Sequence, residues 1–396
     1  MDVQASGNLD SDEAHIERAR GLTRLLAEAG PRIDAARELP PDVLDAMHGA
    51  GMFRLLVPRR FGGAELLPAP YVQCVEAIAS GDGSTAWCMN QGSGCSMSAA
   101  YLPEDAAREV FGGARDVLAW GQARGRARAD KVPGGWRVTG TWLFASGSRH
   151  ATWLGAHCPV FDASGTQICG PDGAPIERTM LFRREKAMID DVWQVVGLRG
   201  TGSDTYSVED LFVPDDYSLC RDADAERRED GLLYRFTTTN IYAAGFGAVG
   251  LGVARGMLDA FIALASKKSP YGSGAMRDSA VVQAIVGLSD AKLRAARAWL
   301  IEVLERTQEN VAARGHLVLQ ERLDIRQAAT FAIHLAREVV NALWHEAGAT
   351  AIFDNQPFER RFRDMNTVSQ QVQGRSAHFE TIGQHMLGLE APLRWV

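Results

Sequence analysis

No two of the six cysteines (Cys74, Cys88, Cys95, Cys158, Cys169, Cys220) form a CxxC pair or stand at zinc-ligand spacing. That absence removes a dithiol redox motif and a structural zinc site, and leaves reduced thiols of a cytoplasmic protein as the expectation. A strong charge of either sign is missing as well: 42 basic against 49 acidic residues give a formal net charge of −7. Nucleic-acid binders carry a dense basic footprint, so no nucleic-acid partner is expected. Apolar runs are short. The charge-free stretch from Phe236 to Ala254 begins with three threonines and an asparagine after the phenylalanine and holds four glycines. It is too polar and too broken for the roughly 20 apolar residues that a bilayer span requires. The opening residues MDVQASGNLDSDEAH are polar and acidic, so neither a membrane anchor nor a secretory signal is expected. GxSxG, HExxH, Walker A and EF-hand patterns do not occur, and the nine histidines form no pair at metal-ligand spacing beside a carboxylate. No metal is expected.

What is present is a core. The chain has 396 residues, 46% hydrophobic and 23% charged, a composition that folds without staples. At about 150 residues per domain, two to three domains are expected. Three regions differ in period. Residues 1–115 read as a helical domain: Asp10 to Glu13 supply acidic first-turn residues, and Ile16, Ala19, Thr23 and Leu26 recur at helical spacing until Gly30-Pro31. Pro40-Pro41 opens a second helix, 70–79 and 84–101 read as two more, and Pro103 opens a short one. Residues 116–222 read as strands, with runs at Trp136–Phe144, Thr152–Val160, Thr179–Arg183 and Tyr206–Val213 separated by Gly, Pro and Asp. An antiparallel β-barrel-like or sandwich domain follows. In 223–396 the helical period returns, with Ile285, Leu288, Ala295, Trp299 and Val303 on one face and Ile325, Ala329, Ala332, Ala336, Val339 and Leu343 on another. Long amphipathic helices with short connections imply an antiparallel four-helix bundle. The fold class is therefore α+β, mainly α.

Gly245 to Gly250 spells GxGxxG. The dinucleotide fingerprint needs a strand before it and a βαβ unit around it; here it lies in an Ala/Gly-rich helical run, which instead implies a small-residue helix face. Ser289-Asp-Ala-Lys292 imitates SxxK without its partner motifs. Two strings carry more. Gly140–Gly147 (GTWLFASG) puts the hydroxyl of Ser146 and the aromatics Trp142 and Phe144 at a strand end, and Gly197–Asp204 (GLRGTGSD) runs on to Asp210–Pro214 (DLFVP). A hydroxyl beside aromatic walls suits a flat heteroaromatic ligand; a hairpin with core aromatics would read the same way.

Together with these strings, Ala244–Leu251 (AGFGAVGL), Lys268-Ser-Pro-Tyr-Gly272 followed by Gln283, and Gly348-Ala349 followed by Arg360–Asp364 (RRFRD) resemble, in order, landmarks of the acyl-CoA dehydrogenase superfamily. The resemblance spans about residues 15 to 390 and implies a flavin, FMN or FAD. By it, Ser146 takes the place of the hydroxyl at the flavin N5 edge, Trp120 and Phe144 line the ring, and Lys268, Gln283 and Gly348 belong to the phosphate-side contacts. Lys268 stands where the family has an arginine, without that residue's bidentate fork. The resemblance also implies a homotetramer, a dimer of dimers, because the flavin phosphate site is built across subunits.

The superfamily runs two chemistries. Its dehydrogenases remove an α-proton from an acyl-CoA thioester with a carboxylate, and loss of a positioned base costs roughly 10²–10⁴-fold. The position after the RD string holds Val372 or Gln373 here, the alternative position on the earlier helix holds Asn240, and Glu380 is the nearest carboxylate downstream. Neither amide accepts a proton. The second branch comprises two-component monooxygenases. They receive reduced flavin from a separate NAD(P)H:flavin reductase, react it with O₂ to a C4a-(hydro)peroxyflavin, and need no such base. WLFASG, GLRGTGS and the His378…Gly383…Leu387-Gly388 tail resemble this branch. Where its aromatic hydroxylases carry histidines, this chain has Cys95 and Gln371. The expected catalytic set is thus Ser146, Gln371, His378 and Cys95. Phenol deprotonation is disfavoured, and oxygenation at nitrogen, at sulfur or on an electron-rich heteroaromatic such as an indole is left open. His385 shares the helical face of His378, and His150 follows the Ser146 turn. The reading is a reductase-fed flavin monooxygenase acting on a small aromatic, heteroaromatic, amine or sulfur substrate. The alternatives are an acyl-CoA dehydrogenase and a non-catalytic flavin-binding homologue.

Overall fold

A computed structural model describes residues 11–170, 173–270, 272, 274–393 and 396; Asp10 and Tyr271, both named above, lie outside the described residues. The helices before the sheet are α1 (Asp12–Ala36), α2 (Pro41–Gly49), α3 (Pro68–Gly81), α4 (Gly83–Ser96) and α5 (Glu104–Phe111). Ser11 caps α1 by accepting from the Ala14 amide at 3.2 Å. Gly30-Pro31 does not end this helix, contrary to the expectation. Ile33, two residues on, is buried, and Gly30 lies so close to Arg360 that a Cβ there would come within 2.0 Å of the guanidinium. Packing across that contact overrides the roughly 3 kcal/mol that proline costs a helix interior. The α3–α4 junction is a cap as well: Asp82 accepts from the Thr85 amide (2.8 Å) and hydroxyl (2.9 Å).

The strands are β1 (Leu118–Trp120), β2 (Gln122–Val132), β3 (Gly135–Ala145), β4 (Trp153–Phe161), β5 (Glu177–Arg183), β6 (Met188–Asp190), β7 (Asp204–Pro214) and β8 (Ser218–Leu219). They form one sheet in the order β6-β7-β3-β2-β4-β5-β8, with β1 beside β4. The sheet is mixed rather than purely antiparallel, because β4 pairs in parallel with both β1 and β2. β2 carries no apolar alternation (QARGRARADKV) and was invisible to the strand pattern; it is held by its ladder to β3, from Gln122↔Leu143 to Val132↔Gly135.

After the sheet come α6 (Thr238–Ala265), α7 (Ala280–Arg314), α8 (Leu319–Ala347), α9 (Pro357–Val368) and α10 (Ala377–Met386). α6 passes the length and composition test for a membrane span, yet 67% of its most apolar window is buried inside the fold. It is the central helix of the core, packed against α8, α3 and α4. GxGxxG lies within it: a Cβ on Gly245 would meet Asn90 of α4 at 1.8 Å, and one on Gly247 would meet the Ala329 backbone of α8 at 3.2 Å. All six α8 positions expected inside are buried. On α7 the expected face is rotated: Leu288 and Ala295 are exposed, and Leu293, Ala296, Leu300, Leu304 and Val311 are buried with Val303. Apolar residues spread round much of the helix, so spacing alone could not choose the stripe.

Candidate active site

β3 closes on a left-handed residue. Phe144 has φ +59° and is 57% exposed, its ring edge-on to Trp193 with centroids 6.2 Å apart. Two residues on, Ser146 is buried. Its Oγ receives the Trp87 indole N–H at 3.0 Å and lies 2.7 Å from Ser203 Oγ. Ser203 lies 2.7 Å from Thr201 Oγ1, and the Thr201 hydroxyl donates to the Leu198 carbonyl at 2.8 Å. The Leu198 end fixes the direction of the chain. Thr201 gives its proton to a carbonyl, so it accepts from Ser203, which accepts from Ser146. Ser146 Oγ therefore keeps one acceptor site and has no proton left to give.

The loop that supplies Thr201 and Ser203 is anchored from below. The Leu198 amide donates to Asp364 Oδ1 at 2.6 Å, and the Leu198 carbonyl also accepts from Trp193 Nε1 at 3.0 Å. Leu198 and Gly202 both have left-handed backbone (φ +52° and +48°), and a Cβ on Gly197 would sit 2.2 Å from the Arg363 carbonyl oxygen. Three left-handed residues, Phe144, Leu198 and Gly202, thus converge on one hydroxyl chain, the kind of strain that surrounding contacts hold in place at functional sites. Burial and the neighbouring Asp82 push Asp364 up to about 7.

From Trp87 the site continues along α4, where Trp87, Gln91 and Cys95 share one face at i, i+4, i+8. Trp87 packs on Phe246 of α6 (centroids 4.1 Å), and Phe246 stacks on Tyr242 (5.8 Å). Tyr242 OH lies 3.3 Å from Cys95 Sγ and donates to the Gln91 carbonyl. Gln91 Nε2 in turn donates to the Trp120 carbonyl at 3.3 Å. Trp120 stands edge-on to His157 (4.7 Å) beneath Arg221 (5.5 Å). Burial pushes the Cys95 thiol up to about 12, so it stays protonated and acts as a small apolar contact. Ser146, Cys95 and Trp120 are thereby joined in one continuous set, through Trp87, Phe246, Tyr242 and Gln91.

Gln371 and His378 lie in a second group. Gln371 Oε1 accepts from the Gln373 amide at 2.7 Å, and His378 Nε2 meets the Val372 carbonyl at 2.7 Å. Burial, with Arg326 adding to it, lowers His378 to about 4, so the ring is neutral and donates to that carbonyl. Gln373, not Gln371, is the buried amide, bonded to Arg326 Nη1 of α8. Asn240 is buried as well, donating to the Arg322 carbonyl and accepting from Thr237 Oγ1 at 2.7 Å. Glu380 is exposed and pairs with Gln384. Lys268 and Gly348 form a third group at the end of α8, where Lys268 Nζ donates to the Ala347 carbonyl and Thr350 Oγ1 (both 2.9 Å) beside a cavity of about 460 Å³. Gln283 is exposed and donates to the Arg277 carbonyl. His150 is half-buried with its ring against Phe53, and His385 is half-buried on α10.

Sequence reasoning missed Trp87, Ser203, Tyr242, Asp364 and Arg326 as site residues. The α4 spacing could have pointed to Trp87 with Gln91 and Cys95; no local signal links Ser203 to Ser146. The donor set fits a flat heteroaromatic group with a polar edge. An exposed aromatic, a buried hydroxyl with an open acceptor site and an aromatic column meet at one strand end.

The chain matches two family models, Acyl-CoA dehydrogenase, N-terminal domain, over residues 15–109, and Acyl-CoA dehydrogenase, C-terminal domain, over residues 244–373. It is 30% identical over 380 residues to an indole-3-acetate monooxygenase of Pseudomonas putida, covering 95% of this chain and 93% of that one. To the oxygenase component of an FADH(2)-dependent resorcinol hydroxylase of Rhizobium sp. it is 28% identical, covering 95% and 94%. The crystal structure of a 3-HSA hydroxylase from Rhodococcus sp. RHA1 superposes with a TM-score of 0.88 at 26% identity, over 97% and 99% of the two chains.

Proposed function

The chain belongs to the acyl-CoA dehydrogenase superfamily, among its flavin-dependent monooxygenase oxygenase components, and from that premise we propose how its residues serve the reaction. It is an oxidoreductase that uses reduced FMN or FAD and O₂ to oxygenate a small aromatic or heteroaromatic substrate. When bound, the reduced flavin supplies the electrons that activate oxygen. Ser146 Oγ would hold the N5 edge of the ring, and Phe144 and Trp120 would line it. Its single open acceptor site suits an edge that donates, as the N–H of a reduced flavin does. The column Trp87–Phe246–Tyr242 walls the substrate side and excludes water. Lys268 and Gln283 would reach the phosphate side of a flavin in a neighbouring subunit of a dimer of dimers, with Gly348 beside Lys268 in that group. A separate NAD(P)H:flavin reductase delivers the cofactor, in the cytoplasm.

The observation that carries the choice of chemistry is the pair of amides. At both positions where a dehydrogenase of this superfamily would carry its carboxylate, Asn240 and Gln373 are buried and already hydrogen-bonded to protein. The test is to supply chemically reduced flavin with isotopically labelled O₂ and a panel of heteroaromatics. One labelled oxygen atom in the product is expected, with a transient absorbance band between the reduced and oxidised flavin spectra. Unlabelled product, or anaerobic bleaching of bound flavin by an acyl-CoA thioester, would overturn the reading.

A further inference from the structure

Arg326 sits in the middle of α8 with 0% of its surface exposed. A guanidinium taken wholly out of water needs a counter-charge or a full set of acceptors, since burial disfavours its charged form unless a partner offsets the lost solvation. This one has a single hydrogen bond, from Nη1 to Gln373 Oε1. Its Nε and Nη2 are buried without any acceptor among the described residues. Among the described residues no carboxylate forms an ion pair with it, and burial brings it down to about 9. His378, close by, is neutral and offers no compensation.

Which atoms are left free is informative. Nε and Nη2 form one edge of the planar fork, the edge that receives the two oxygens of a carboxylate in parallel hydrogen bonds. Gln373 occupies the remaining corner and holds the fork in place. Gln373 is itself held at its amide by Gln371 Oε1 and at its carbonyl by Thr330 Oγ1 (3.1 Å), and His334 meets the Gly374 carbonyl at 2.8 Å. The vacant edge is thus presented by a guanidinium whose one partner is fixed from three sides.

We propose that Arg326 is the specificity residue of this monooxygenase, and that its substrate is an aromatic or heteroaromatic acid whose carboxylate seats bidentately on Nε and Nη2. The proposal rests on the flavin reading above, in which Gln373 stands where a dehydrogenase of the superfamily would carry its substrate-facing carboxylate. It narrows that reading from aromatics in general to anionic ones.

The test separates recognition from chemistry by measuring binding without flavin turnover. Phenylacetate and indole-3-acetate are titrated into the full-length protein by calorimetry, against phenylacetamide and indole-3-acetamide. Each acid is expected to bind about tenfold tighter than its amide or better, the scale of a charge-assisted pair. Arg326→Lys keeps the charge and loses the fork, and is expected to lose most of that preference. Should Arg326 variants fail to fold, Gln373→Glu serves instead. An internal carboxylate beside Arg326 competes for the fork, so the acid preference should disappear while the melting temperature rises. Equal binding of acids and amides by the unaltered protein overturns the proposal, and so does an acid preference that survives both substitutions. If the labelled-oxygen assay then succeeds on neutral heteroaromatics, the flavin reading stands and only the carboxylate assignment falls.

Discussion

Asp364→Asn is expected to stabilise the protein in mild alkali and to do little in mild acid. The carboxyl is fully buried, accepts the Leu198 amide at 2.6 Å and feels Asp82 beside it; it sits at about 7 in place of 3.8. Folding therefore disfavours its ionised form. A carboxyl raised in the folded state binds more protons folded than unfolded, so its contribution to stability falls as pH rises from about 4 to about 7 and is flat beyond. Ionised, it costs the fold roughly 4 kcal/mol; between about pH 5 and about pH 8 the change is roughly 2–3 kcal/mol. Asparagine still accepts the Leu198 amide, as the protonated carboxyl does, so in mild acid the exchange costs little. The wild-type profile alone mixes opposing contributions. His378 and His150, lowered to about 4 and about 3 by burial, withdraw stability as pH falls below their ordinary value of 6.5. The difference between variant and wild type cancels them. Urea denaturation of both proteins across this range should show the variant gaining on the wild type as pH rises. A pH-independent difference, or a variant that loses ground in alkali, refutes the assignment of a buried, acid-strained Asp364 under the Leu198–Ser203 loop.

Ser146→Ala leaves the Trp87 indole N–H buried without an acceptor and cuts the hydroxyl chain at its head. It should cost about 1–3 kcal/mol and raise peroxide release per flavin oxidised; unchanged coupling would remove Ser146 from the site. Gly30→Ala places a methyl against Arg360, and overpacking there should lower stability by about 1–3 kcal/mol, read as a drop in denaturation midpoint. Of the six thiols, exposed Cys169 should react first with a thiol reagent in the native protein and half-buried Cys220, whose thiol burial also pushes up, more slowly, while Cys74, Cys88, Cys95 and Cys158 are buried with raised pKa and should stay unlabelled. Rapid labelling of a third cysteine, found by peptide mapping, would contradict that burial.

Much of the molecule was legible in one dimension. Periodicity marked α8 because it buries one face, and a buried face repeats at the element's own period; the four strand runs stood out as short apolar stretches between Gly, Pro and Asp clusters, with β4 buried along nearly its whole length. The small-residue run of α6 and the strings around Ser146 and Arg199 were readable for the same reason: close approach and tight turns restrict residue type locally. β2 escaped because a strand held by ladder bonds and rich in charged residues carries no apolar signature in its sequence. The continuation of α1 through Pro31 escaped because its cause, Arg360, lies on a helix far along the chain.

The sequence alone thus determined the order of helical, strand and helical regions, the flavin-type string at the end of β3 and the lack of a carboxylate at Asn240 and at Val372 or Gln373, since residue identity decides what can accept a proton. Only the tertiary structure joined Ser146 to Trp87 and Ser203 and hung their loop on Asp364. It alone left one edge of Arg326 buried and bare. Hydrogen-bond partners and desolvation depend on what packs around a group from distant parts of the chain, and no local pattern encodes either.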